Sequence, residues 1–600
     1  MSTGTSGAGP LGAPQCAVAL ALAAAIVAGV VATHAPPAVR TREAGPEEFS
    51  VARAYSDVVA LTAFGPRPSP RPGEPSLPAH EQAREWVIAR LKQLELAPQV
   101  ESGTACTPRR TCGPVQNVVA RLVPAGVAET EPAVMLLAHY DSVAAGPGAG
   151  DDAAGVASVL EIVRVLRHSR ALRRPLLVVI DDGEERGLLG ARVLCQGPWA
   201  RSVAAVLNFE ARGNAGQTAM FETSDKSAWL VELYGRAVAR PVASSVIYSL
   251  YKTLPNDTDL TVTKAAGLRG LNFAFADHVW DYHTPRDSAE NLDRRSVQHM
   301  GDQGLATTRA LLTRAELPAV DDDAVWFDLF TLRLVLYRAS WAKGMAVAQA
   351  LLLAAAVVLL GRRGGGRAVA AGAARVAATL GLAVLVGFLV SKLIVLLAGQ
   401  PRPWQGRPLP TWLALTLATA AAGSAGQLLL ERRAPGAPPR RLLDIYAMAA
   451  GTLLPWTLPS LLLSLWVPGA SYVFTLPALC GSAALLLVAC APADEPGGRP
   501  GERLSERPGD RPGDRPGGAG WRALLVVLAL ALPGLLLWLP LMRVLLVMVG
   551  ASLHPAVTLP MGLLLTLLAP LQRLLPPRLL GVLTAAWAAA ALGCVGWAAR

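Results

Sequence analysis

Six hundred residues exceed what one hydrophobic core holds, so at least two structural bodies are expected. Apolar residues make up 52% of the chain and charged ones only 16%, with a mean hydropathy of +0.38 and the apolar excess after residue 340, which excludes a wholly soluble protein. The net charge of +11 comes mostly from arginine, as in cytoplasmic loops of membrane proteins. No basic face interleaved with aromatics accompanies it, so nucleic acid is excluded as a partner.

Residues 1–14 are rich in Gly, Ser and Pro and read as a disordered N-terminus. An unbroken apolar run follows within 15–35, either a transmembrane anchor or a cleavable signal peptide. The run lacks a basic region before it, and Arg40 and Arg42 come after it, so the uncleaved anchor is preferred. Residues 44–318 have the composition of a soluble α/β domain. Helices are predicted over 47–61, 80–94 and 153–166, and strands over the apolar runs 133–138, 175–180, 204–209 and 271–275. This alternation predicts a mostly parallel mixed sheet sandwiched by helices, with ligands bound beyond the carboxyl ends of its strands. Cys106 and Cys112 bracket a TPRRT loop, either as a disulfide in an oxidising compartment or as two unrelated thiols.

Residues 319–342 read as an acidic, then amphipathic, connector. The remainder, 343–600, reads as a polytopic all-α transmembrane domain of about eight helices. A Pro/Gly/Arg-rich run at 494–520 is expected to be a flexible loop. Arginines fall in alternate loops: Arg362, Arg363 and Arg367, then Arg432, Arg433, Arg440 and Arg441, then Arg499, Arg503, Arg507, Arg511 and Arg515, then Arg573 and Arg578. Positive-inside logic puts those loops in the cytoplasm and the α/β domain on the extracytoplasmic side of a multi-pass membrane protein.

The chemistry gathers between 138 and 283. His139 closes the first strand run, with Asp141 two residues on; an imidazole that binds metal usually gives its other nitrogen to such an acceptor. Asp151 and Asp152 follow PGAG and open a helix, where a carboxylate could bridge two cations or cap the helix, and one of the pair is expected to do both. Glu184 and Glu185 are adjacent, so one can ligate metal while the other faces substrate as general base. Glu210 ends a third run, and His283 lies in DYHTP. Two imidazoles and three or four carboxylates suit a pair of Zn²⁺ ions, and two such ions about 3.5–4 Å apart can activate a water and polarise a carbonyl. His278 and His299 read as surface histidines.

These residues, in this order, resemble the co-catalytic zinc exopeptidase family of secreted bacterial aminopeptidases and glutamate carboxypeptidase, over roughly residues 50–315. The resemblance implies that His139 and Glu210 hold one zinc, Glu185 and His283 the other, and that Asp151 bridges them. It implies Glu184 as general base and acid, Asp141 as the group orienting His139, and Asp152 as a neighbour whose peptide with Asp151 is strained. Many relatives carry Asp where this chain has Glu210, and the longer arm puts that zinc position in question. The membrane-bound branch, which resembles the endoplasmic-reticulum metallopeptidase and the fungal vacuolar membrane protease, tolerates Glu there and shares the layout of one span, catalytic domain and multi-span tail. Asp257 and Asp259, in NDTDL, and Tyr282 are the corresponding candidates for the substrate pocket.

The expected function is that of a membrane-anchored zinc aminopeptidase acting on peptide substrates, with the bilayer as its other partner. Two competing readings stand beside it: a glutaminyl-cyclase-like acyltransferase using one zinc, and a non-catalytic receptor or scaffold, which would normally lack some of the ligands.

Overall fold

The computed structural model describes residues 13–32, 35–40, 42–318, 322–400, 402–432, 442–491, 518–549, 554–575 and 577–599. The expected disordered N-terminus and the loop 494–520 lie outside the described residues, except 13–14 and 518–520, which are helical. The chain forms two compact units, Val31–Ser340 and Met1–Val30 with Trp341–Arg600.

In the first unit, helices α2 (Val51–Thr62) and α3 (Pro78–Gln93) precede strands β1 (Gln99–Cys106), β2 (Cys112–Leu122) and β3 (Ala133–His139). Then come α4 (Gly155–Leu166), β4 (Leu176–Asp181), α5 (Leu189–Gln196), β5 (Val203–Ala211), β6 (Ala219–Thr223), α6 (Ala228–Ala237), α7 (Ser245–Tyr251), α8 (Asp259–Ala265), β7 (Gly270–Phe275) and α9 (Arg294–Leu312). Helix α1 (Ala13–Ala32) belongs to the other unit.

The seven strands run in the order β1-β2-β4-β3-β5-β7-β6. The pairs β4–β3, β3–β5 and β5–β7 are parallel, while β1–β2, β2–β4 and β7–β6 are antiparallel. The four central strands are therefore the parallel part, and their apolar runs are continuous because both faces are covered. Along β3, Val134, Leu136 and Ala138 pack into one core, and Ala133, Met135 and Leu137 into the other. Side chains alternate across a strand, so one heptapeptide supplies both layers. All four predicted strand runs form; β1, β2 and β6 were not foreseen, being polar or short.

The helices start where local chemistry allows. Ser50 caps α2 by accepting from Arg53 N at 3.4 Å, and Pro78 opens α3 where no N–H is needed. On α3 the inward face carries His80, Ala83, Val87 and Leu91. The segment expected as a connector is instead an antiparallel hairpin of β8 (Ala324–Leu329) and β9 (Arg333–Arg338). Its Val, Trp, Phe and Leu residues favour a pleated surface. The hairpin joins the first unit through Asp328 N donating to Ala243 O at 3.0 Å.

The second unit contains α1 and then α10 (Ala339–Leu360), α11 (Gly366–Ala398), a single turn α12 (Pro403–Gly406), α13 (Pro408–Arg432), α14 (Leu442–Trp466), α15 (Pro468–Cys490), α16 (Gly518–Val549), α17 (His554–Leu574) and α18 (Pro577–Ala599). Among the described residues, six helical stretches are long and apolar enough to cross a membrane; the first, Ala339–Ala398, is broken at Gly364, where φ is 94°. Two shorter apolar stretches are Ala17–Gly29 and Thr558–Pro570. Helices α11 and α14 approach so closely that a Cβ on Gly451 would lie 1.9 Å from Val369 O, the small-residue packing that membrane helices use.

Candidate metal centre

Parallel pairing brings the carboxyl ends of β4, β3, β5 and β7 to one edge of the sheet, and the candidate residues gather there. His139 is the last residue of β3, Glu210 the penultimate of β5, and Glu184 and Glu185 lie in the turn after β4. Asp151 and Asp152 sit in an irregular turn, Ala149–Ala154, ahead of α4, and their peptide bond is cis. Gly148 enters that turn with φ 61°, and a Cβ there would meet Asp151 O at 2.3 Å, so only glycine fits.

Two groups of donor atoms form, His139, Asp151 and Glu210 in one and Asp151, Glu185 and His283 in the other, the atoms of each within 4.8 Å of one another. Asp151 belongs to both. Its Oδ1 is 3.1 Å from His139 Nε2, and its Oδ2 is 3.1 Å from His283 Nε2. Glu185 Oε2 lies 3.0 Å from His283 Nε2, and Glu210 Oε2 lies 3.8 Å from His139 Nε2. The edge of a tetrahedron with metal–ligand bonds of ~2.0–2.1 Å is about 3.3 Å, so these separations suit ligands sharing a small divalent ion. Glu210, for all its longer arm, reaches the same group.

The protein's own charges call for such an ion. Burial, then the neighbouring Glu210 carboxylate, pushes Glu184 well above the usual carboxylate range. Burial and Asp151 push Glu185 up to about 8. Glu210 is raised chiefly by burial, and Asp152 well raised by burial with Glu210 and Asp151 adding. Burial opposes protonation of His139, yet hydrogen bonds to Asp141, Asp151 and Glu210 raise it well above its ordinary value. His283 is likewise opposed by burial and raised to about 9 by Asp151 and Glu185. Asp151 is held well below its usual value: burial pushes it up, but His139 and His283 outweigh that. Glu185 Oε1 is buried and has no hydrogen-bond partner among the described residues. An excess of buried carboxylates with an unpartnered oxygen is expensive unless a cation compensates it, so the residues present fit the metal.

Around the donors, Asp141 faces the far side of His139, its backbone O 3.1 Å and its Oδ1 3.3 Å from Nδ1, and Oδ1 accepts from Glu184 N at 3.2 Å. Asp152 caps α4, its Oδ1 accepting from Gly155 N at 3.0 Å, and its Oδ2 accepts from His139 N at 3.3 Å. One residue of the pair was expected to do both tasks; the contact with the start of α4 falls on Asp152 and the contacts with His139 and His283 fall on Asp151. Tyr282 stacks on His283 with ring centroids 3.7 Å apart. Of the pocket candidates, Asp257 is exposed and accepts from Thr261 Oγ1 at 3.2 Å. Asp259 is fully buried, both its oxygens without hydrogen-bond partners among the described residues, and burial with Glu210 pushes it up to about 7.

Several residues of the surroundings carried no sequence signal. Arg67 is fully buried and donates to Tyr140 O at 2.8 Å and to Pro147 O at 2.5 Å, holding the loop before Asp151. Asp287 accepts from Gly150 N at 2.6 Å. Ser69, His80 and Asp182 line the far side of Asp141. One expectation is overturned: His299 is not on the surface but buried in α9, with Nδ1 accepting from Thr218 N at 3.2 Å and Nε2 3.1 Å from Arg240 O. His278 is exposed as expected. Cys106 and Cys112, opposed in the β1–β2 register, are joined in a disulfide.

Residues 117–308 match the model of Peptidase family M28. The chain is 29% identical to the human endoplasmic reticulum metallopeptidase 1 over 314 residues, covering 48% of this chain and 34% of that one. It is 33% identical to the vacuolar membrane protease of Coccidioides posadasii over 232 residues, covering 36% of this chain and 23% of that one. It therefore spans about a third or less of the length of these relatives. The solved aminopeptidase from Aneurinibacillus sp. strain AM-1 aligns at 13% identity with a TM-score of 0.37, covering 46% of this chain and 97% of that one.

Proposed function

We propose that this chain, whose residues 117–308 match peptidase family M28, is a membrane-anchored aminopeptidase that removes N-terminal residues from peptides at a two-zinc centre. The observation that carries the reading is the shared carboxylate: Asp151 presents one oxygen to His139 and the other to His283, each at 3.1 Å. In this assignment His139 and Glu210 hold one zinc, Glu185 and His283 hold the other, and Asp151 bridges. Bound there, the ions would supply Lewis acidity toward a peptide carbonyl and toward a water.

The remaining work falls to the chain's own groups. Glu184, raised well above the ordinary carboxylate range by burial, suits a group that takes a proton from water and returns it to the leaving amine. Asp141, through its backbone O at 3.1 Å from Nδ1 and its carboxylate at 3.3 Å, holds His139 in the orientation that turns Nε2 toward Asp151 and Glu210. Tyr282, stacked on His283, stands where substrate would meet the centre, and the N-terminal end of α8 with Asp257 and Asp259 is assigned to the substrate side.

The domain comprises residues 44–318, between an anchor at 15–35 and the multi-span unit, and works on the extracytoplasmic side. Two features support that side: the Cys106–Cys112 disulfide suits an oxidising compartment, and the arginines concentrate in alternate loops. Replacing Glu184 by alanine tests the role assignment. Hydrolysis of aminoacyl amides should fall at least ~100-fold while zinc content stays at the wild-type level; retained turnover would remove Glu184 from its role.

A further inference from the structure

We propose that Arg109 and Arg110, at the tip of the β1–β2 hairpin, select peptides that carry acidic residues a few positions beyond the bond cleaved. The assignment rests on the aminopeptidase reading above and names the substrate class for it. Both arginines lie in TPRRT, the loop between Cys106 and Cys112. Thr107 N donates to Thr111 O at 2.8 Å and Arg110 N to Thr107 O at 2.9 Å, and the disulfide closes the loop at its base. A short loop held in this way has little freedom left to lose when it binds.

Sheet topology carries the loop to the metal centre. Strand β2 runs antiparallel to β4 with Val118 opposite Ile180, so the hairpin leaves the sheet at the edge where β3 ends in His139 and β4 leads into Glu184 and Glu185. Rising about 3.4 Å per residue from Val118 back to Cys112, it stands roughly 20 Å beyond Ile180. Its tip rests on the turn after β4. Thr107 covers Gly187, where an added Cβ would lie 2.4 Å from Thr107 Cγ2, and Arg186 Nη2 donates to Cys112 O at 3.2 Å. From Glu185 through that contact to Arg110 the path is on the order of 10–15 Å, the length of three or four extended residues.

Charge decides what such a rim takes. Arg109 and Arg110 are exposed, and among the described residues neither forms an ion pair. The other arginines beside the turn are engaged, Arg186 by the carbonyls of Cys112 and Pro70 and Arg71 by Glu74 at 4.0 Å. The β7 side of the centre carries the opposite sign. Asp257 is exposed there, and the next residue, Thr258, accepts from Asn272 of β7 at 2.7 Å. Strands β2 and β7 flank β4, β3 and β5, so acid and base stand on opposite sides of the donors. A peptide fits across such a mouth with its ammonium end toward the aspartate and its acidic residues toward the hairpin. The reverse pattern of charge is repelled at both ends.

The test uses the zinc-loaded full chain in detergent and peptides that share one first residue and carry Asp, Asn or Lys at the third to fifth positions. Exposed pairs of opposite charge are individually weak, so kcat/KM should rank Asp above Asn above Lys by about 2–10-fold per step, through KM and not kcat. The ranking should shrink toward equality at about 1 M salt, where charges are screened within about 3 Å. Arg109→Ala/Arg110→Ala should remove the preference for Asp over Asn, and Arg109→Glu/Arg110→Glu should place Lys above Asp. Each variant is judged by a ratio of its own rates, so a general loss of activity cancels. A preference that both double variants keep would overturn the proposal. So would a wild type without preference whose variants instead lose affinity for phosphatidylserine vesicles, which would assign the arginines to a lipid surface. The two readings fail separately: hydrolysis of all three peptides at one rate sinks the selectivity and leaves the aminopeptidase standing, and hydrolysis of none sinks both.

Discussion

Replacing Arg67 by alanine removes the largest polar group buried beneath the metal centre. Its guanidinium donates to four backbone carbonyls, Gly65, Tyr140, Pro147 and Gly148, at 3.2, 2.8, 2.5 and 3.5 Å. The bonds to Tyr140 and Pro147 are the two shortest and are buried or partly so, and each acceptor left without a donor costs about 1–3 kcal/mol, giving about 2–6 kcal/mol in all. Burial lowers the Arg67 guanidinium to about 10, so it is still charged at neutral pH, and it also opposes the surrounding carboxylates. An unfolding entropy of about 2.1 cal/mol/K per residue over a unit of about 310 residues converts that loss to roughly 3–9 °C. The assay is the thermal unfolding of the α/β unit, followed by tryptophan fluorescence in the metal-free full chain. Zinc affinity should fall too, because Pro147 and Gly148 lead into the turn that carries Asp151. Lysine should recover little, since one ammonium cannot replace a planar fork among four acceptors. An alanine variant that melts within about 1 °C of wild type and binds zinc as tightly would refute the reasoning.

Two further predictions come from other parts of the chain. His299 is buried with its pKa lowered to about 4, chiefly by burial, so the folded state refuses a proton that the unfolded chain accepts below about 6.5. Stability should fall as the pH drops from about 6.5 to about 4, by roughly 3 kcal/mol, and His299→Gln should flatten that part of the melting-temperature profile; an unchanged slope would contradict the assignment. In the apolar unit, Pro477 has no N–H for Val473 O, and Trp538 Nε1 donates to it at 2.8 Å. Trp538→Phe should cost about 1 kcal/mol in wild type and much less beside Pro477→Ala, whose restored N–H takes the carbonyl. Equal costs in both backgrounds, read from detergent unfolding, would disprove the exchange.

The parts of this account legible in the sequence share a physical reason. Strands β3, β4, β5 and β7 are buried on both faces and stand out as unbroken apolar runs. The five donor residues stand at or near the ends of those runs, or in short Gly-, Pro- or acid-marked turns, where charged side chains have few bland roles. Their gathering into two groups follows from the parallel topology. The edge strand β1 and its neighbour β2 mix polar and apolar residues, and the hairpin β8–β9 is too short for its period to separate strand from helix. The contacts of Ser69 with Asp141 and Asp182, and of His80 with Asp182, join residues 72 to 113 apart in sequence, and none carries a local pattern. His299 was misplaced because a histidine on a helix looks the same whether it faces solvent or, as here, a backbone N–H and a carbonyl in the core.

The central claim is a pair of ions held by five residues around one shared aspartate. It is met most directly by counting zinc per chain on the purified full-length protein while following the release of N-terminal residues from a panel of aminoacyl amides. Two zincs per chain, with release abolished by a chelator and restored by zinc, is the predicted result. One zinc with cyclisation of N-terminal glutamine would contradict it in favour of acyl transfer, and no metal with no turnover would reduce the domain to a scaffold.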